Sequence, residues 1–202
     1  MLQEKIKNWE NISDLNWYPW VGENYKKNGT LILGESHYED GDFWQKDNPK
    51  TSITIIEKRI DNISGKWTLH NNVEKTLLNN KKVSLEERVR FWNSVVYWNL
   101  VQRLLDSRHI EDRPNDDDFD IGWGVFFKII DILEPIHIIV LGKSSVGRLG
   151  YYLNNLQNDW SKTDSDFYNN EKKVITITKE GKQVKLIFIN HPSGSFGYDY
   201  KK

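Results

Sequence analysis

The chain contains no cysteine. That excludes disulfides, thiolate metal sites, iron–sulfur clusters and a cysteine nucleophile. No stretch approaches the ~20 consecutive apolar residues that span a bilayer. The opening Met1-Leu2-Gln3-Glu4-Lys5 lacks the apolar centre of a secretory signal. A cytoplasmic protein with no membrane partner is expected. No charge sign dominates either: the formal net charge is −1. A strongly basic domain would point to nucleic acid, and this balance leaves room only for a local basic groove. There is no internal repeat, low-complexity tract or linker, so residues 1–202 are expected to form one domain, long enough to bury a core. A monomer is the default expectation, with no metal and no cofactor.

What the chain does have is 38% hydrophobic and 28% charged residues, the balance of a globular protein. Its aromatics are abundant, with nine Trp, nine Tyr and eight Phe. Most serve core packing, and some suit a surface that stacks bases or sugars. Apolar, strand-like runs cover 30–33, 136–141 and 183–189. Alternation over 174–178, followed by a turn at Lys179-Glu180-Gly181-Lys182, predicts a hairpin. The run 136–141 is nearly all apolar and β-branched, as in a central parallel strand buried on both faces.

Helices are expected over 2–11, 53–62, 72–79, 85–105, 119–134 and 144–157. The strongest pattern is 85–105. Ser84 and Glu87 form a capping box, and Val89, Trp92, Val95, Val96, Asn99, Leu100 and Arg103 follow at helical spacing. Gly122 and Gly124 weaken the start of 119–134. Residues 17–20, 39–52 and 106–118 read as loops, the last highly charged and broken by Pro114. The order of elements predicts an α/β fold, a three-layer α/β/α sandwich around a central, mainly parallel sheet.

Two motifs follow strand-like runs at opposite ends of the chain. Gly34-Glu35-Ser36-His37-Tyr38 packs a carboxylate, a hydroxyl, an imidazole and a phenol into successive positions. Asn190-His191-Pro192-Ser193-Gly194 sets an imidazole and a hydroxyl among turn formers. In open α/β sheets, ligands bind outside the carboxyl ends of the strands, so both motifs are expected to converge there. Gly142-Lys143-Ser144-Ser145, between a strand and a helix, is either a plain connection or a set of backbone N–H groups facing an anion. It lacks the spacing of a P-loop.

The ordered set of landmarks resembles the uracil-DNA glycosylase superfamily. The set comprises Leu33-Gly34-Glu35-Ser36, then Val96-Tyr97-Trp98-Asn99-Leu100-Val101 with Arg113-Pro114-Asn115. After these come Pro135-Ile136-His137-Ile138-Ile139-Val140-Leu141-Gly142 and Asn190-His191-Pro192-Ser193. The similarity spans roughly residues 30–194. It implies a uracil-DNA glycosylase-like fold, a pocket for a flipped base and a DNA partner, single-stranded or carrying a damaged or modified base. It also implies a role in DNA repair.

By position, Glu35 and His191 are the catalytic candidates, and Asn99 reads the base edge. Ser36, His37 and Tyr38 shape the substrate pocket. Lys143, Ser144, Arg148 and Ser193 are the candidates for nucleic-acid contact, with Phe196 or Tyr198 as a wedge in the duplex. The chain departs from the family where Ser36 and His37 replace the usual acid and proline and where the cluster-binding cysteines are absent.

The residue types suit the chemistry independently. Cleaving an N-glycosidic bond builds positive charge on the sugar, which a carboxylate stabilises. It builds negative charge on the base, which an imidazole or N–H donor stabilises. Asn offers both a donor and an acceptor to a base edge. Two further readings stand beside the glycosylase-like enzyme. One is a nucleic-acid or nucleotide binder that kept the pocket without the chemistry. The other is an esterase-type hydrolase using Ser36 and His191.

Overall fold

The structure, a computed structural model, describes residues 8–39, 48–65, 67–106, 111–155, 159–168 and 172–193. Nine strands and five α-helices are found among them. In chain order the strands are β1 (Trp20–Val21), β2 (Thr30–Gly34), β3 (His37–Glu39), β4 (Val96–Asn99), β5 (Leu104–Asp106), β6 (His137–Leu141), β7 (Ser161–Tyr168), β8 (Lys172–Lys179) and β9 (Lys182–Ile189). The helices are α1 (Thr51–Ile60), α2 (Thr68–Leu77), α3 (Leu85–Trp92), α4 (Asp116–Leu133) and α5 (Val146–Asn155).

Seven strands form one sheet in the order β1-β4-β2-β6-β9-β8-β7. The centre, β4-β2-β6-β9, is parallel throughout. Both flanks are antiparallel, β1 on β4 at one side and β9-β8-β7 at the other. The sheet is therefore mixed around a parallel centre. A separate parallel pair joins β3 to β5.

Successive side chains of a strand face opposite sides of a sheet, and the central strands supply two cores accordingly. Leu31 and Leu33 of β2, Val96 and Trp98 of β4, and Ile138 and Val140 of β6 pack with α4 and with Leu149 of α5. Ile32, Tyr97 and Leu141, one residue out of phase, pack with Ile56 of α1, Val73 of α2, and Phe91 and Trp92 of α3. Helices thus cover both faces, an arrangement compatible with a three-layer sandwich. Being buried on both sides is why these strands read as unbroken apolar runs.

The expected helix over 85–105 is corrected. Its capping box is present, with Ser84 accepting from the Glu87 N–H and the Glu87 carboxylate accepting from the Ser84 N–H. The helix nevertheless stops at Trp92, and 96–99 is a strand between β1 and β2. Val95-Val96-Tyr97-Trp98 is β-branched and aromatic and prefers a pleated, packed surface. Apolar residues on both faces mimic a helical stripe, and periodicity does not separate the two.

Helix α4 starts three residues earlier than expected. Asn115 accepts from the Asp118 N–H while the Asp118 carboxylate accepts from the Asn115 N–H. Gly122 is there for packing, since a Cβ at that position would sit 2.4 Å from the Leu100 carbonyl oxygen. Only a 3₁₀ turn at Trp9–Asn11 represents the expected N-terminal helix, and residues 1–7 lie outside the described residues. The polar edge strand β7 and the short β1, β3 and β5 carry no alternation that sequence reading detects.

Helices α1, α2 and α3 are tied together by one buried carboxylate. Glu74 accepts from Arg59 Nε at 2.7 Å and Nη2 at 2.6 Å, from Trp92 Nε1 at 2.9 Å and from Arg88 Nε at 3.3 Å. Burial pushes this carboxyl's pKa up, but the Arg59 and Trp92 hydrogen bonds and the two guanidinium charges outweigh it and hold it below the usual range. The cluster's stability is therefore present above the ordinary glutamate pKa and lost as pH falls through the lowered one. Arg59→Met leaves part of that buried charge uncompensated and should cost about 3 kcal/mol, measured by urea unfolding at neutral pH. A loss under ~0.5 kcal/mol would remove the ion pair from the list of fold-determining contacts.

Candidate functional site

The parallel register brings four strand ends to one edge of the sheet. Gly34 stands opposite Asn99, Leu33 opposite Val140, and Leu141 opposite Ile189. Backbone bonds continue the ladder past the strands. Leu100 N donates to Gly34 O at 3.0 Å, Val101 N to Glu35 O at 2.8 Å, and Gly142 N to Ile189 O at 3.0 Å. The segments after β2, β6 and β9 open there onto a cavity of about 510 Å³. Its lining includes Glu35, Ser36, Tyr38, Asn99, Lys143, Ser144, His191 and Ser193, so eight of the sequence-predicted site residues meet at one place.

Gly142 sets the spacing of the reactive groups. Its φ of +121° is one that side-chain-bearing residues rarely adopt. A Cβ there would lie 3.5 Å from His191 Cδ2 and 3.8 Å from Glu35 Oε2. A carboxylate and an imidazole thus approach the same bare point of backbone from two strands. The Ser144 hydroxyl donates to Glu35 Oε2.

His191 Nδ1 accepts from the Ser193 backbone N–H at 3.4 Å and lies 2.7 Å from Ser193 Oγ. With Nδ1 accepting, the ring hydrogen belongs on Nε2. Burial of the packed side of the ring lowers its pKa, with Glu35 pulling the other way, so the ring stays neutral at pH 7. Asn72 of α2 donates to the Pro192 carbonyl at 2.6 Å and holds this loop against the helix.

Asn99 sits at the back of the cavity and is 3% exposed. Gly34 makes room for it, because a Cβ on Gly34 would fall 2.0 Å from Asn99 Oδ1. Asn99 Nδ2 lies 3.1 Å from His37 Nδ1, and His37 Nε2 lies 2.9 Å from Ser52 Oγ on α1. The amide donates to Nδ1, and the imidazole then donates from Nε2 to the serine. Asn99 Oδ1 is buried without a donor at hydrogen-bonding geometry, beside the Tyr97 hydroxyl.

Three predicted roles need correction. His37 does not line the cavity. It is buried behind Asn99, edge-on to Trp17, and orients the amide instead of touching a ligand. Arg148 also lies outside the cavity lining. It pairs with Asp120 and Asp116 and stacks over Tyr151 at 4.2 Å, and this leaves little of its charge for a phosphate. Ser36 Oγ is buried with no hydrogen-bond partner, while His191 engages Ser193, so the nucleophile–base pair of an esterase is not assembled. Phe196 and Tyr198 lie outside the described residues.

In the sequence, Arg113 stands out only as part of the landmark Arg113-Pro114-Asn115. Arg113 comes from a charged loop that reads as solvated surface, yet it lines the cavity and donates to the Tyr38 hydroxyl at 3.1 Å. Leu69 of α2 and Asn190 complete the wall. No signal local to Arg113 or Leu69 marks them, because their contacts are made across the fold.

Among the described residues, no group of three or more His, Cys, Asp or Glu side chains is arranged to hold a metal. No helix among them is long and apolar enough to cross a membrane. No family model matches this sequence, and no curated protein matches it at a significant level.

A second histidine, His70 of α2, lies behind the site among Trp67, Trp92 and Tyr97, with neither ring nitrogen hydrogen-bonded. Burial, reinforced by His70, pushes His37 down to about 3. Burial and the Arg59 charge, partly offset by Glu74, push His70 down to about 4. Both rings stay neutral when folded and take up protons on unfolding below about pH 6.5. Folding stability is therefore full above that pH and falls as pH drops toward 4, by up to ~1.4 kcal/mol per pH unit for each ring. His37→Gln and His70→Leu should each flatten the slope of unfolding free energy between pH 6.5 and 4. An unchanged slope in both variants would mean that neither ring is buried neutral.

Proposed function

We propose that this protein is a DNA glycosylase-like N-glycosyl hydrolase of uracil-DNA glycosylase-like fold that takes a flipped or single-stranded nucleobase into the cavity. The observation that carries the reading is the approach of Glu35 and His191 to Gly142 at the floor of that cavity. The bond to be broken joins C1′ of the sugar to a ring nitrogen of the base. As it lengthens, the sugar becomes cationic and the base anionic. Glu35 lies where a carboxylate stabilises the cation and orients the attacking water. A neutral His191 ring offers its Nε2–H to an anionic base oxygen, a fixed donor of the kind that favours developing negative charge. Water supplies hydroxide to C1′ and a proton to the departing base, so the step needs no redox partner.

The Ser144 hydroxyl on Glu35 and the burial of Asn99 favour one alternative. It is a nucleic-acid or nucleotide binder of the same fold that retains the pocket without turnover. Oligonucleotides carrying uracil, hypoxanthine, xanthine or modified pyrimidines separate the two. The enzyme reading expects release of a free base from at least one of them. Glu35→Gln and His191→Ala should each lower the rate by ~10²–10³ with folding intact, and Ser36→Ala should be mild. Binding without base release would favour the alternative. A rate abolished by Ser36→Ala alone would return the esterase chemistry to consideration.

A further inference from the structure

We propose that Arg113 is an anion clamp at the mouth of the cavity, and that the ligand carries a phosphate ester, as a nucleotide or as part of a DNA strand. The clamp rests on the nucleobase reading only for what the rest of the ligand is.

The segment leading into α4 and the first turn of that helix are rich in carboxylates, and Asp112, Asp116 and Asp118 are committed to other arginines. Asp112 accepts from Arg103 Nη1 at 2.8 Å through Oδ1 and from the Asp106 N–H at 2.6 Å through Oδ2. Asp118 accepts from Arg103 Nε at 2.8 Å and Nη2 at 3.0 Å, and from the Asn115 N–H at 2.9 Å. Asp116 pairs with Arg148. Among the described residues, Arg113 has no carboxylate partner. It is a cation left over in an acidic loop, and it lies on the cavity wall together with Lys143.

It is also held in place. Arg103 Nη2 donates to the Arg113 carbonyl at 3.4 Å, so the guanidinium that collects the two aspartates also pins the Arg113 backbone. The side chain then lies over the Tyr38 ring, 5.9 Å from its centroid, and spends Nη1 on the Tyr38 hydroxyl. An arginine set beside the ring and tethered through one nitrogen keeps its remaining N–H donors as a planar fork. That fork matches two phosphate oxygens, and the tether to Tyr38 reduces the freedom it loses on binding. An amide or apolar substituent would gain little from it, whereas a phosphate gains charge-assisted bonds.

Two probes independent of the base test the clamp on the 202-residue chain: 2-deoxyribose 5-phosphate and a ten-nucleotide single-stranded DNA. Binding is followed by calorimetry at low and moderate salt. At least one probe should bind and weaken as salt rises. Arg113→Gln should lower its affinity about 10- to 100-fold, the scale for losing hydrogen bonds to a charged group. Tyr38→Phe, which keeps the ring and removes the tether, should lower it by less. Lys128→Gln should leave it unchanged, since Lys128 bonds to Ser13 and lies outside the cavity lining.

Arg113-dependent binding of the sugar phosphate identifies a nucleotide-sized ligand. Dependence seen with the oligonucleotide alone identifies a DNA strand. Affinities unchanged in Arg113→Gln, or no binding of either probe at low salt, overturn the clamp. An Arg113-dependent affinity without base release from any substrate keeps the clamp and removes the hydrolase. Base release with Arg113→Gln indistinguishable from wild type does the reverse.

Discussion

The parallel register of β4, β2, β6 and β9 is the constraint on which the rest of the site depends. Parallel strands run out at the same edge, so every segment that leaves them starts from one rim. Here Gly34 and Asn99 are register partners, and Leu141 is level with Ile189. Glu35, Gly142 and His191, more than a hundred residues apart at the extremes, become neighbours as a result. The two glycines are needed for different reasons. Gly34 lacks the Cβ that would displace the Asn99 amide, and Gly142 takes a turn that brings backbone between the carboxylate and the imidazole.

Behind that rim the protein keeps polar groups buried and neutral. His37 links Asn99 to Ser52, and His70 sits unpartnered among aromatic rings. Neutral imidazoles are tolerated where charged ones are not, because desolvation penalises the ionised form. The amide is therefore oriented from the interior, and its free oxygen has no competing donor at bonding geometry. One step further from the cavity, the Glu74–Arg59–Arg88 cluster is the opposite case: charges stay ionised because each is met by a partner. It joins α1, α2 and α3, the helices that carry Ser52 and the Leu69 wall.

Charge is sorted around the mouth in the same manner. Arg103 gathers Asp112 and Asp118, and Arg148 gathers Asp116 and Asp120. Arg103 and Arg148 thus brace neighbouring carboxylates, although the sequence suggests Arg148 for nucleic-acid contact. Arg113 faces the cavity. A near-neutral chain acquires a local cationic feature by pairing its other charges with one another, which net charge alone does not reveal.

The apolar runs in β2, β6 and β9, the capping box before α3 and the hairpin of β8 and β9 were legible locally, because burial on both faces and turn chemistry act over a few residues. The two motifs after β2 and β9 were legible as site candidates for the same reason: reactive side chains crowd behind strand ends. The strand Val96–Asn99 reads as helix in sequence, since an apolar run packed on both faces satisfies either period. The sequence sets His37 beside Glu35 and Tyr38 as if part of the same wall, but adjacency says nothing about which way a side chain turns. Arg113 reads as solvated in sequence because its partner Tyr38 lies 75 residues away. The sequence by itself determined which segments are buried and where turns interrupt them. Only the tertiary structure decided which polar groups face the cavity, because that choice depends on strand order and on partners brought together across the fold.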